Sequence, residues 1–393
     1  MIIRKYIFLL MVVPSLIFAS CECQPDTLYV YHQPQYINDG FEVGSLDELN
    51  IDSVLINKAI DNINCGEYGE VHSMLIFKDN KLVLEEYFPG HRYNYFGENH
   101  HGELTNWDGS KLHDIKSVSK SITSTCIGIA IDKGFIKSVN QSIFDYLRDH
   151  QNLKIEGKEK ITIEHLLTMT SGLEWNEWEK YLSSKSNDII NIWFQEKDPV
   201  SYVLEKPLRN NPGSSFTYSS GNTIVLGEII KNATGMELDK FSEEYLFKPL
   251  GIDSSYWGER YRNGVIEAGG GLEITPRDML KIGVMYLNDG VYSGKRILSK
   301  QWIENCTTAF ANNKNIDIPG HDSGIHSYSY SWWLKTYTNF GKKINMYHGV
   351  GWGGQEIIVL PELNTVVVFT GGNYTAAIKV IEMLEEYILP AID

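Results

Sequence analysis

The chain has 393 residues, of which 42% are hydrophobic and 12% aromatic. That is enough for a substantial core and for two or three domain-sized units. A formal net charge of −15, with no basic run, argues against nucleic acid or an anionic membrane face as a partner.

The chain opens with an export signal. Arg4 and Lys5 precede an apolar run, 6–19, that is too short for a spanning helix and is broken by Pro14. The junction Phe18-Ala19-Ser20-Cys21 resembles the end of a bacterial lipoprotein signal, with Cys21 as the lipidated first residue. Cleavage after Ala19 without lipid is the alternative. Loss of residues 1–20 removes two positive charges and makes the net charge −17. The mature protein is therefore expected in the periplasm or cell envelope, touching a membrane only through lipid on Cys21. Cys65, Cys126 and Cys306 are far apart and lack metal-ligand spacing. A lipidated Cys21 leaves no disulfide framework, and the spacing neither requires nor forbids one bridge.

Residues 21–50 read as a tether and a first ordered segment. Val54, Leu55, Ile60 and Ile63 give 51–64 helical spacing. Within 71–90 two apolar runs flank Lys78-Asp79-Asn80-Lys81, a hairpin signal. Residues 91–112 are polar, aromatic and irregular and read as a loop. Helical patterns follow at 117–134, 161–170, 221–234, 238–247 and 276–289, with turn residues such as Lys133-Gly134 and Asn211-Pro212-Gly213 between them. Strand-like runs return at 328–337, 343–348, 355–360 and 365–371, before a helix at 375–388. The expected fold is α+β. An antiparallel sheet flanked by helices is built from 51–116 and 328–393, and a mainly helical domain, 117–327, is inserted in it. The active site is expected between the two.

Three short elements carry chemistry. The pattern Ser-x-x-Lys occurs once, as Ser117-Val118-Ser119-Lys120. On a helix the i and i+3 side chains share a face, so the lysine amine can reach the serine hydroxyl and help remove its proton. The alternative is a helix-capping serine with an exposed lysine one turn on. Tyr218-Ser219-Ser220 sits at a turn before the helix at 221. His348-Gly349-Val350-Gly351 ends a strand, where glycines let backbone N–H groups approach a ligand.

In this order, and with the flanking segments 165–175, 227–235, 268–279 and 351–362, these elements resemble the serine β-lactamase and penicillin-binding-protein superfamily. The resemblance is to its class C-like branch, and the Gly353-Gly354-Gln355 segment is closest to 6-aminohexanoate-dimer-hydrolase-like and esterase members. It implies that Ser117 is the acyl-accepting nucleophile and that Lys120 assists its deprotonation. Tyr218, as phenolate or through a proton network, becomes general base and then acid to the leaving group. Ser220 stands where lactamases often have asparagine, to bond Lys120 or the substrate. The oxyanion hole is expected from the Ser117 N–H and a strand N–H, that of Gly351. His348 stands where lactamases carry a lysine that binds the β-lactam carboxylate, or else it only packs. Trp175, Trp178 and Tyr181, in a loop bordering the cleft, and Trp352 beside the strand are candidate substrate contacts, with local packing as the other reading.

No cofactor is implied. His100, His101 and His113 lack carboxylate–histidine spacing and read as surface histidines, so no metal is expected. The leading expectation is an exported serine hydrolase acting on a small-molecule or peptide-like ester or amide. A β-lactamase or D,D-peptidase, and an envelope binding protein that does not turn over, are the alternatives.

Overall fold

The computed structural model describes residues 28–178, 186–194, 198–321, 323–339 and 342–392; Cys21 and Tyr181 lie outside them. Among the described residues the main sheet has nine strands. They are β1 (Glu42–Val43), β2 (Val71–Lys78), β3 (Lys81–Tyr87), β4 (Ile316–Asp317), β5 (Ile325–Ser329), β6 (Trp332–Asn339), β7 (Lys342–Gly351), β8 (Gln355–Leu360) and β9 (Thr365–Gly371), in the spatial order β1-β3-β2-β9-β8-β7-β6-β5-β4. Short β1 runs parallel to β3, and the other pairs are antiparallel. Early β2 pairs with late β9, Leu75 opposite Val368. The two ends of the chain therefore meet inside one sheet.

The turn between β2 and β3 is made by Asp79 and Asn80, both at positive φ (47° and 66°). Short polar side chains tolerate that conformation, and its twist matches a two-residue hairpin. Strands β8 and β9 are buried throughout, because helices cover both faces. Ile357, Val359, Val366 and Val368 point to one core, with α2 (Val118–Asp132) and α4 (Pro276–Leu287). Ile358, Leu360, Val367 and Phe369 point to the other, with α1 (Ser53–Asn64) and the C-terminal helical segment 380–392. Alternate residues serve opposite layers, as the pleat requires. A fourth long helix, α3 (Ser220–Thr234), packs beside α2 in the helical region.

Three expectations change. Residues 91–112 are not simply a loop, for strands Pro89–Tyr93 and His101–Asn106 form a hairpin. The run 328–337 is two strands, broken where Tyr330 and Ser331 take positive φ (42° and 67°). That turn is fixed from outside: the Ser124 and Ser121 hydroxyls of α2 donate to the Tyr330 and Ser331 carbonyls at 2.8 and 2.7 Å. Helix α4, placed in the inserted region by sequence, packs on the sheet, with Gly283 against Val366 and Ile357.

Helix α2 is buried on every side from Val118 to Ala130. Its polar residues fit because their hydroxyls find partners: Ser119 accepts the Leu272 N–H at 3.3 Å, and the others donate to carbonyls. Thr123 donates to Ala268 O and Thr125 to Ser121 O, both at 2.8 Å, so little desolvation cost is left unmet. Its small residues let neighbours close in. A Cβ on Gly128 would lie 2.6 Å from the Trp302 ring and 2.8 Å from Leu298. Alanine improves helix propensity by about 1 kcal/mol, but overpacking a tight core costs about 1–3 kcal/mol. Gly128→Ala should therefore lower stability in urea and thermal melts. An unchanged or raised melting temperature would show that the Trp302 contact is not tight.

Candidate active site

Ser117 begins α2, but its side chain makes no capping hydrogen bond. The hydroxyl is turned instead to Lys120, whose Nζ donates to Ser117 Oγ at 2.8 Å and to the Gly269 carbonyl at 2.8 Å. Lys116, just before, has φ +48°. Asp114 holds it there, accepting its backbone N–H at 3.0 Å and pairing with its Nζ at 2.5 Å, and the ammonium lies 3.4 Å from the centre of the Tyr93 ring. A small sheet, pairing His113–Asp114 with Leu272–Ile274, ties this entry segment to the inserted region.

Lys120 is almost wholly buried, 2% exposed. Burial pushes it below the usual lysine range, while Glu177 and Glu267 pull it back up. Burial pushes the Glu267 carboxyl up to about 8, with Lys120 acting in the opposite sense. Glu267 accepts the Tyr261 hydroxyl, and the Gly269 N–H at 2.8 Å. Gly269 thus uses its N–H for the acid and its C=O for the amine. A Cβ there would lie 3.0 Å from Glu267 Oε1 and 3.4 Å from Lys120 Nζ, so only glycine leaves both contacts undisturbed.

Tyr218 completes the cluster. Its ring lies 5.0 Å from Lys120 Nζ, stacked on Trp178 at 4.5 Å and Trp333 at 6.0 Å. Burial raises its phenol well above the usual range and Glu177 adds to this, opposed by the hydrogen bond to Ser117. The phenolate expected as one alternative is therefore disfavoured, leaving the proton network as the route the environment allows.

Ser220 does not reach Lys120. Its N–H and hydroxyl both go to Glu177, at 2.8 and 3.1 Å. Trp175, expected at the cleft, is buried against Tyr202 and Gly221, with Nε1 donating to Glu177 at 2.5 Å. Sequence reasoning missed Glu177 and Glu267, since a single glutamate carries no motif. The sole signal for Glu177 was its place between the two loop tryptophans.

On β7, Gly349 and Gly351 face α2. Cβ atoms there would lie 3.0 Å from Ser121 Oγ and 2.4 Å from Ile115 O. The end of the strand is thereby drawn against the segment that enters Ser117. His348 alternates to the other face and is fully buried, its Nδ1 2.7 Å from Glu356 Oε2. Burial lowers His348 to about 3 and raises Glu356 to about 8, so near neutral pH they are a neutral hydrogen-bonded pair. Trp352 packs beside the strand with Tyr93 and Tyr374 at 5.6 and 5.1 Å. Nor are the expected surface histidines all at the surface: His113 is buried between His72 and Trp107, and His101 stacks on His91.

Comparison with known proteins places this geometry. A 6-aminohexanoate-dimer hydrolase of Paenarthrobacter ureafaciens is 28% identical over 266 residues, covering 65% of this chain and 65% of that protein. The chain thus spans a little under two thirds of that relative and about half of further curated relatives at 27% identity. Two solved structures share the fold. One is a family VIII carboxylesterase, with TM-score 0.62, 16% identity, and 85% of this chain and 96% of that chain covered. The other is a class C β-lactamase from Rhodobacter sphaeroides, with TM-score 0.61, 12% identity, and 87% and 100% covered. The Beta-lactamase family model matches residues 71–376, from the first residue of β2 to just past β9. With Ser117, Tyr218 and the glycine strand all inside that span, this chain belongs to the Beta-lactamase family, whose members are serine hydrolases.

Proposed function

We propose that the protein is an exported serine hydrolase that cleaves an ester or amide through an acyl-enzyme on Ser117. The observation that carries this reading is the Lys120 amine, 2.8 Å from the Ser117 hydroxyl in a pocket that removes it from water. A desolvated amine loses affinity for its proton and can take one from serine.

In the first half-reaction neutral Lys120 accepts the Ser117 proton as Oγ bonds to the substrate carbonyl carbon. The N–H groups of Ser117 and Gly351 receive the oxyanion. Collapse breaks the bond to the leaving group, which takes the phenolic proton of Tyr218, and Lys120 returns its proton to Tyr218. Water then repeats the sequence on the acyl-enzyme and restores Ser117.

Two observations bear on substrate. The third element offers the cleft no side-chain cation, because His348 is fully buried and hydrogen-bonded to Glu356, and Gly349, Val350 and Gly351 carry no charge. The walls near Ser117 are aromatic, with Trp178, Trp333, Trp352 and Tyr93. Both favour an acyl group without the carboxylate that β-lactams present. The relative named for hydrolysis of a 6-aminohexanoate dimer fits an amide substrate. Export rests on the leader sequence and is supported by Cys65, which is disulfide-bonded, whereas Cys126 and Cys306 are free and buried; disulfides persist in oxidising compartments.

A fluorophosphonate probe read by intact mass should add one adduct to the wild type and none to Ser117→Ala. Turnover of a p-nitrophenyl ester should fall about 10³-fold or more, with little nitrocefin turnover in either protein. The variant should melt close to wild type, because no cap is lost. An adduct that persists in Ser117→Ala would reject the nucleophile.

The lysine must be neutral to act, so kcat/KM should rise with pH as Lys120 loses its proton. A nearby carboxylate raises a lysine pKa, Glu177 more than Glu267 here, and Glu177→Gln removes that pull. The rising limb should therefore move to lower pH. A limb that stays in place or moves to higher pH would show that Glu177 does not act on Lys120.

A further inference from the structure

A second cluster stands apart from Ser117, and no part of the hydrolase reading depends on it. Glu70 lies just before β2, and His91 and His101 lie one on each strand of the 89–106 hairpin. Glu70 Oε1 is 2.5 Å from His91 Nδ1 and 3.8 Å from His101 Nδ1. One donor atom from each of the three residues lies within 4.8 Å of the other two. Tetrahedral zinc with bonds of about 2.0–2.2 Å would hold such atoms about 3.4 Å apart, which small side-chain adjustments can reach.

The surroundings orient these atoms. His101 Nε2 is 3.0 Å from the Gly372 carbonyl. A carbonyl only accepts, so Nε2 carries a hydrogen and Nδ1 is the ring atom turned to Glu70. That nitrogen faces a carboxylate oxygen, a pair of donors that a cation can bridge. The second Glu70 oxygen is occupied, accepting the His91 backbone N–H at 2.9 Å with His72 Nε2 at 3.3 Å. One oxygen is thus anchored in protein and the other is left toward the histidines, as outer partners orient metal ligands. The His91 and His101 rings stack at 4.6 Å and 5°, so both Nδ1 edges reach the same side. Their side chains are 33% and 25% exposed, which leaves water a remaining coordination position.

We propose that Glu70, His91 and His101 form a site for one zinc-type divalent cation that pins the 89–106 hairpin to the ends of β2 and β9 at the middle of the sheet. Two imidazoles and a carboxylate suit Zn²⁺. The sequence concealed the set because its members are 21 and 10 residues apart along the chain. The pin would also steady the cleft. Tyr93, two residues past His91, carries the Lys116 ammonium on its ring and packs on Trp352 and Tyr374.

The test uses the whole mature protein, stripped with EDTA, dialysed and titrated with ZnCl₂ by calorimetry and native mass spectrometry. The expected result is one bound zinc ion per chain and a higher melting temperature with zinc. His101→Ala and Glu70→Gln should each weaken binding by more than the roughly 10- to 100-fold seen when a residue behind a ligand is lost. His101→Cys, which keeps a ligand, should bind, and His32→Ala, an exposed histidine outside the cluster, should match wild type. Fluorophosphonate labelling of every variant reports that it is folded. Absence of saturable zinc binding to the wild type would overturn the proposal, leaving Glu70 and His91 as a plain ion pair. Binding that survives both His101→Ala and Glu70→Gln unchanged would overturn it as well.

Discussion

The structure turns on one buried amine. Lys120 sits where water cannot reach it, and the effective penalty for burying an ammonium is several kcal/mol unless its hydrogens are satisfied. Two are, by Ser117 Oγ and the Gly269 carbonyl, and the Tyr218 ring lies beside it. The neighbouring geometry follows from making those contacts possible. Helix α2 must be enclosed, so its faces are small, and its hydroxyls are spent on carbonyls of the 268 and 330–331 segments. Those hydrogen bonds also fix the break between β5 and β6.

Topology brings the parts together. Strands β2 and β9 come from opposite ends of the sequence and pair at the middle of the sheet. The nucleophile helix, the tyrosine turn and the glycine strand are some 100 residues apart from one to the next in sequence, yet they converge where β7 ends against the start of α2. Because β8 and β9 are covered on both faces, this junction rests on a double-sided core and is held by packing rather than by loops alone.

How much of this was legible in sequence depends on range. Local signals were readable: the Asp79-Asn80 turn, the unbroken apolar runs of β8 and β9, and the i, i+3 pairing of Ser117 and Lys120. The hairpin at 89–106 was not, because its residues do not alternate and its partners are long-range: His91 to Glu70, His101 to Gly372. The turn at Tyr330-Ser331 has no glycine or asparagine, so only the α2 hydroxyls betray it. His348 shows a subtler limit. Period two tells that His348 and Val350 share a face, and that Gly349 and Gly351 share the other. It does not tell which face meets the nucleophile. The glycines do, since only they tolerate the approach of the Ile115 carbonyl and Ser121 hydroxyl.

The same reasoning assigns the two glutamates opposite parts around one lysine. Both favour the charged amine, which works against its use as a base. Glu177 is committed: it accepts two hydrogen bonds from Ser220 and one from Trp175. Glu267 is sealed more deeply, and burial keeps it largely protonated near neutral pH. The Glu267 charge is thus largely withheld from Lys120. A fully charged trio would lock the proton on the amine, and a fully neutral one would leave the ammonium formed during acylation without a counter-charge. With the Glu267 charge withheld, both states of Lys120 are accessible, which a residue that must take up and return a proton in each half-reaction requires.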